Sequence, residues 1–221
     1  MDENVMEVIK KRMEKTKTAL ENNNMQVFLA DNKEQAVDIV KSLISENDLI
    51  GSGGSATLSE TGIIDMLRHD GYNFVDRANF TNENMRDFYI KCFSTDVYFT
   101  SANAITENGE LYNVDGNSNR IAAIAFGPKS VIVVAGYNKI VKNLDDAIKR
   151  VKTIAAPANT IRLCCDTGCS QNGSCSGISK YSDMTSGCHC NDRICCNYLV
   201  SAQQRHKNRI KVILVAEELG Y

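Results

Sequence analysis

The chain predicts a single α/β domain: a mostly parallel sheet with helices on both faces and a Cys-rich flap near the C-terminal end. Three observations lead there. Short apolar strand-like runs alternate with helix-like runs along the first two thirds of the 221 residues, as in repeated β–α–β units. A glycine-rich turn joins one such strand to the following helix. Eight of the nine cysteines fall between Cys164 and Cys196, where a packed body has little use for them.

Each element follows from its local pattern. From Asn4 to Leu20, Val5, Ile9, Met13 and Leu20 recur near one helical face among Lys and Glu, and the polar run 21–24 closes that helix. MQVFLAD reads as a short strand and Lys33 to Leu43 as a second helix. Leu49-Ile50 is a strand running into Gly51-Ser52-Gly53-Gly54-Ser55, with a helix from about Ala56 to Arg68. YNFVD is a strand, residues 83–92 a polar helix and DVYFTS a buried strand. A short strand follows over 110–114, and an apolar helix (Ile121 to Ile124) opens at Arg120. KSVIVVAGY is the strongest strand, Leu144–Ile154 a good helix, and RIKVILVAEELGY ends in a last strand. Ala155-Ala156-Pro157 closes the regular body. One domain spans residues 1–221, with the Cys-rich insert at 160–200.

Composition narrows the function. A chain of this length buries a core without disulfides. Its formal charge of −2 lacks the basic excess that nucleic acid or an anionic membrane rewards. The N-terminal MDENVMEVIKKRMEK has no apolar stretch of a signal peptide, and no run reaches the roughly 18 apolar residues of a membrane span. A cytoplasmic protein is expected. There, clustered cysteines point to metal or redox chemistry rather than disulfides, and nine is an odd number to pair.

Two constellations carry candidate ligand chemistry. In the strand–GSGGS–helix turn, glycines let backbone N–H groups approach an anion, and Gly53, Gly54, Ser55, Thr57 and Glu60 face one mouth of the sheet. The turn lacks the Gly-Lys-Ser/Thr of a P-loop and the Gly-x-Gly-x-x-Gly spacing of dinucleotide folds; a plain βα turn is the competing reading. The second is NAITENGELYNVDGNSNR, from Asn103 to Arg120. Two turns explain much of its polarity, but not Arg120 or the Lys139 that ends the strongest strand. Asn103, Asp115, Asn119, Arg120 and Lys139 thus join the glycine loop as candidate contacts for a small anionic or phosphorylated ligand.

The segments GSGGSATLSETG, SANAITENGELYNVDGNSNRIAAIAFGPKSVIVVAGYNKIV, RVKTIAAPAN, the Cys run with RIC, and VILVAEELGY together resemble the LUD domain, the lactate-utilization family. The resemblance covers roughly residues 1–221. It implies a fold similar to ribose-5-phosphate isomerases, glucosamine-6-phosphate deaminases and CoA-transferases. It also implies a link to bacterial lactate oxidation, with an iron–sulfur protein as partner. A homodimer is one assembly to expect. Against the isomerase pattern, Ser101-Ala102-Asn103-Ala104 stands where an acidic turn belongs and only Lys139 is retained. Enediol isomerisation needs a carboxylate to move the proton, so that activity is not expected. Glu107-Asn108-Gly109 spells the turn carrying the CoA-transferase nucleophile, which makes Glu107, beside Glu60, a candidate catalytic carboxylate.

Relatives in this family carry a pattern near C-x5-C-x2-C-x6-C. Cys169-x5-Cys175 and Cys188-x6-Cys195 reproduce its outer spacings, while residues 176–187 read as an insertion and Cys190 is an extra neighbour. Cys169, Cys175, Cys188 and Cys195 could hold zinc or an iron–sulfur cluster, with Cys164, Cys165, Cys190 and Cys196 as alternates. Three function classes stay open: an organic-acid utilization protein binding an anion, an enzyme using a glutamate, and a metal- or redox-sensing interaction module.

Overall fold

The computed structural model describes residues 2–178 and 183–221; residues 179–182, inside the stretch read as an insertion, lie outside them. Asp2 accepts from the N–H groups of Asn4 and Val5 and so starts α1 (Glu3–Asn22), whose buried stripe is Ile9, Met13, Thr16 and Leu20. β1 (Gln26–Ala30) follows. Asn32 then caps α2 (Lys33–Leu43) through the Gln35 N–H. β2 (Ile50–Ser52) runs through the glycine turn into α3 (Ala56–Glu60) and α4 (Ile63–His69). The single helix that the sequence predicts over 56–68 is broken at Gly62, which adopts a left-handed φ of 75°.

The predicted YNFVD strand reduces to one bridge between Phe74 and Ile50. Asp76 draws the chain away, because it pairs with Arg68 at 2.6 Å and accepts from Ala78 N–H to start a 3-10 turn. Beyond it lie α5 (Met85–Phe93), β3 (Val97–Thr100), β4 (Ala104–Thr106), β5 (Leu111–Asp115), α6 (Asn119–Ala125), β6 (Ser130–Gly136) and β7 (Ile140–Val141).

The strand order of the main sheet is β1-β9-β6-β3-β2, where β9 is Ile210–Val215, and every pairing is parallel. One face (Val27, Tyr98, Val131, Val133, Val212 and Leu214) packs with α1, α5 and α6. The other (Ile50, Phe99, Ile132, Val134, Ile213 and Val215) packs with α2, α3 and α4. Burial on both faces explains why these strands read as continuous apolar runs.

A second sheet, β7-β4-β5-β8 with β8 at Asn197–Ser201, is mixed: β5 is antiparallel to both neighbours. It was not visible as a sheet in the sequence, since β4 and β7 are only three and two residues long. Its apolar face, with Tyr112 and Val114, packs against α7 (Leu144–Arg150). The regular body does not end at Ala155-Ala156-Pro157. The helix widens into a π segment over Val151–Ala155 and continues as α8 (Ala156–Arg162). Pro157 lies just past the π segment within this continuous helix, and the wider turn before it makes room for the ring. The Cys-rich segment then runs through α9 (Gly168–Asn172), capped by Thr167, to β8.

Ile132 is fully buried in β6, between β3 and β9. Ile132→Ala is expected to lower unfolding stability by about 2–5 kcal/mol in a denaturant titration.

Candidate functional site

The carboxyl ends of β2, β3 and β6 lead into Gly53-Gly54, Ser101 and Lys139, and a cavity of about 280 Å³ opens there. This is where open parallel sheets hold ligands. Gly53, Gly54, Ser55, Asn103, Asp115, Asn119, Arg120 and Lys139 all line it. The sequence-predicted contacts therefore share one cleft, with Thr57 as the exception.

Thr57 is fully buried and works from below. Its hydroxyl accepts from Lys139 Nζ at 2.8 Å, and the Ser101 hydroxyl accepts from the same ammonium at 3.0 Å. Lys139 is 3 % exposed. Among the described residues it has no carboxylate partner within ion-pair distance. Burial, reinforced by the Arg150 and Arg120 charges and opposed by Glu60, pushes its amine down to about 7. The C-terminal Leu219-Gly220 covers it: Thr57 Oγ1 donates to the Leu219 carbonyl, and Gly220, at φ 57°, leaves no room for a side chain against Thr57.

Arg120 is held by neutral acceptors. Its guanidinium donates to Asn113 Oδ1 (2.6 Å), the Val114 carbonyl (2.7 Å), Asn103 Oδ1 (2.9 Å) and the Ser101 carbonyl (3.3 Å). Asp115 stands 4.0 Å from its Nε and instead accepts from the Arg120 and Ile121 N–H groups, which caps α6. Ser118, the residue preceding α6, is left-handed and caps nothing. Arg77 and Arg162 are exposed at the rim. Among the described residues the lining thus carries the side chains of Arg77, Arg120, Lys139 and Arg162 against one acidic side chain, Asp115. α3 is only five residues long, so its dipole adds little and side-chain cations set the potential.

The two candidate carboxylates part company. Glu60 is exposed near the cleft and accepts from Gly220 N–H at 2.6 Å, fastening the C-terminal cover. Glu107 does not line the cleft. It sits in the turn after β4, bonded to Arg12 (2.9 Å) and Lys15 (2.8 Å) of α1. Lys15 and Arg12 hold its carboxyl below the usual range. A carboxylate so engaged is a poor nucleophile, and its bonds to Arg12 and Lys15 tie α1 to the second sheet.

Sequence reasoning missed Arg150, which is 7 % exposed and donates to the Asn103 carbonyl (2.7 Å) and the Asn138 carbonyl (3.0 Å). The signal was available, because Arg150 falls three residues after Ala147, on the buried stripe of α7. It also missed Asn159 and Tyr221, which bond to each other at 3.2 Å on the cleft wall. Only the fold brings those two together.

All nine cysteines are unpaired. Cys169, Cys175, Cys188 and Cys195 line one second cavity of about 30 Å³. Cys164, Cys165, Cys190 and Cys196 are not part of its lining. Arg193 fixes two of its corners, donating to the Cys188 and Cys195 carbonyls at 2.8 Å. Lys152 bonds the Ser186 hydroxyl and the Asp183 carbonyl. Burial pushes the Cys195 thiol up to about 12. Among the described residues, no three His, Cys, Asp or Glu side chains stand in a preformed metal-holding arrangement.

Fold and cleft define an α/β protein with a cation-rich pocket at the carboxyl edge of a parallel sheet. The sequence matches the LUD domain over residues 13–215, and the chain belongs to that family; membership supports a lactate-utilization-type protein. Among solved structures it is similar to a DUF162 family protein from Deinococcus radiodurans, determined at 1.70 Å resolution. That match has 12 % identity and a TM-score of 0.52, over 94 % of this chain and 98 % of the other. No curated protein matches the chain. Among the described residues no helix is long and apolar enough to cross a membrane.

A Cβ on Gly53 would stand 2.8 Å from the Tyr98 hydroxyl and 3.2 Å from Arg120 Cδ. Gly53→Val is expected to cost about 1–3 kcal/mol in thermal unfolding and to displace Arg120. Glu107→Gln, on the other side of the second sheet, is expected to cost about 0–1 kcal/mol.

Proposed function

We propose that the cleft binds a small organic anion, a hydroxy-acid carboxylate or a phosphate ester, as the ligand site of a lactate-utilization-type protein. The observation that carries this reading is Lys139. Among the described residues it is a buried amine bonded only to two hydroxyls, with Arg120 and Arg150 nearby and no carboxylate within ion-pair distance. Buried charges are ordinarily paired, and here the missing partner is a ligand anion. The Gly54 and Ser55 N–H groups, which have no acceptor among the described residues, and the rim guanidiniums of Arg77 and Arg162 complete the reception. A cavity of about 280 Å³ suits a small metabolite. Lactate, pyruvate, inorganic phosphate and small phosphate esters are the probes, read by thermal shift and calorimetry. Stabilisation by at least one of them, abolished by Lys139→Met and by Arg120→Met, is the expected result. If none of them binds wild type, or if both variants bind as well as it does, the reading is lost.

One observation favours a catalytic variant of the same reading. An amine poised at about 7 and linked to the Thr57 and Ser101 hydroxyls suits proton transfer near neutral pH. An enzyme on this cleft would work through Lys139, with Glu60 rather than Glu107 as the nearby carboxylate. Turnover of sugar phosphates or acyl-CoA that is lost in Lys139→Met and retained in Glu107→Gln would establish it.

The pH dependence has a definite sign. Burial lowers Lys139 from its ordinary 10.5 to about 7, so the unfolded chain binds more protons between those values. In the ligand-free protein, Lys139 therefore makes stability rise with pH across that window. Anion binding favours the ammonium. Above pH 7 binding is expected to take up a proton, and affinity to fall by up to about tenfold per pH unit. Calorimetry in buffers of different ionisation enthalpy measures that uptake, and Lys139→Met should remove it.

A further inference from the structure

We propose that Cys169, Cys175, Cys188 and Cys195 close around a single thiophilic metal ion of the zinc class, held in tetrahedral thiolate coordination. The site adjoins the cleft, with Cys195 in the lining of both cavities, and does not rest on the reading of the cleft's ligand.

Three observations point there. The first is convergence: four thiols drawn from α9, the loop after it and the segment before β8 wall one cavity, while the other four cysteines of the segment stay outside it. The second is size. About 30 Å³ holds two or three water-sized bodies, at roughly 10–15 Å³ each. A single ion with Zn–S bonds near ~2.3 Å fits that space, whereas a four-iron cubane does not without opening the walls. The third is the weak apolar content of the segment between α8 and β8. Gly, Ser, Asn and Asp with the cysteines make up most of it, and most of its described residues are exposed or half-buried. Metal ligation supplies folding free energy that such a segment cannot obtain from burial.

The thiols are not preformed around one point, so binding draws them inward by rotation about Cα–Cβ. The step balances simply. Four thiols each lose a proton to solvent, one M²⁺ enters, and the site becomes a tetrathiolate with a net charge of −2. No electron changes hands. Arg193, anchored to the carbonyls of Cys188 and Cys195, lies beside that charge and helps offset it.

The full chain, purified under reducing anaerobic conditions, is analysed for zinc, iron and acid-labile sulfide. It is then stripped of metal and titrated with Co²⁺. The expected result is one ion per chain and a thiolate-to-cobalt charge-transfer band that saturates at one equivalent. Cys175→Ser and Cys195→Ser are expected to weaken Co²⁺ binding at least tenfold. Cys164→Ser and Cys196→Ser, at exposed thiols outside the cavity, are expected to bind as wild type does. Absence of the cobalt band in wild type overturns the proposal, as does iron with stoichiometric sulfide or equal loss in the Cys164 and Cys196 variants. If the cavity variants fail to fold, the wild-type stoichiometry and cobalt spectrum decide the matter alone.

Discussion

The whole arrangement depends on how the chain passes from one sheet to the other at Ser101-Ala102-Asn103. β3 ends the parallel sheet at Thr100 and β4 begins the mixed sheet at Ala104, so three residues must change sheets inside the protein. Their polar groups cannot reach water freely and must be satisfied locally. Asn103 does most of this. Its N–H bonds the Tyr112 carbonyl, its side-chain oxygen accepts from Val114 N–H and Arg120, and its carbonyl accepts from Arg150. The Ser101 carbonyl accepts from Arg120 and its hydroxyl from Lys139. The junction is solved by cations donating to neutral oxygens. Amide and carbonyl dipoles satisfy a guanidinium's hydrogens without cancelling its charge. Three buried or half-buried cations therefore converge, and among the described residues only Asp115, 4.0 Å from Arg120, stands within ion-pair distance of any of them. Removing one acceptor strands a buried charge, which costs far more than a surface pair is worth.

The parallel sheet was legible because burial on both faces writes itself into sequence as continuous apolar runs such as Val131–Ala135 and Val212–Val215. The mixed sheet was less legible for the same physical reason. Ile140–Val141 and Ala104–Thr106 are too short to show a period, and they become strands only through pairing, β4 with β5 and β7 with β4. Pro157 misled because a proline normally ends a helix. Here a π turn absorbs it, and nothing in 151–155 announces that turn. Gly62 carried the opposite surprise, a break within a sound helical pattern.

The cleft was legible to a useful degree, because glycines and isolated cations at strand ends are chemistry that packing does not require. Arg120 and Lys139 stood out from apolar surroundings, and both line the cavity. Glu107 shows the limit of that approach. The Glu-Asn-Gly spelling is a local match, but local sequence does not say that α1 will lay Arg12 and Lys15 across the turn. Thr57 shows a subtler limit. It lies in the right loop, yet it faces inward, so it holds the lysine instead of lining the space above it.

The two cavities have a wall in common. Val151, Ala156, Ile194 and Cys195 line both, and the first two bracket the π segment of the long helix. A π turn sacrifices regular i→i−4 bonding and persists where tertiary contacts hold it. Here Lys152 within it bonds the Cys-rich segment on one side, through Ser186 and Asp183. Arg150, immediately before it, braces the sheet junction on the other. The Cys-rich segment is therefore no appendage. It presses Ile194 and Cys195 against the cleft while its partner helix carries the guanidinium that fixes Asn103. The thiol-lined cavity and the cleft thus meet at those four shared residues, one of which, Val151, belongs to the π segment.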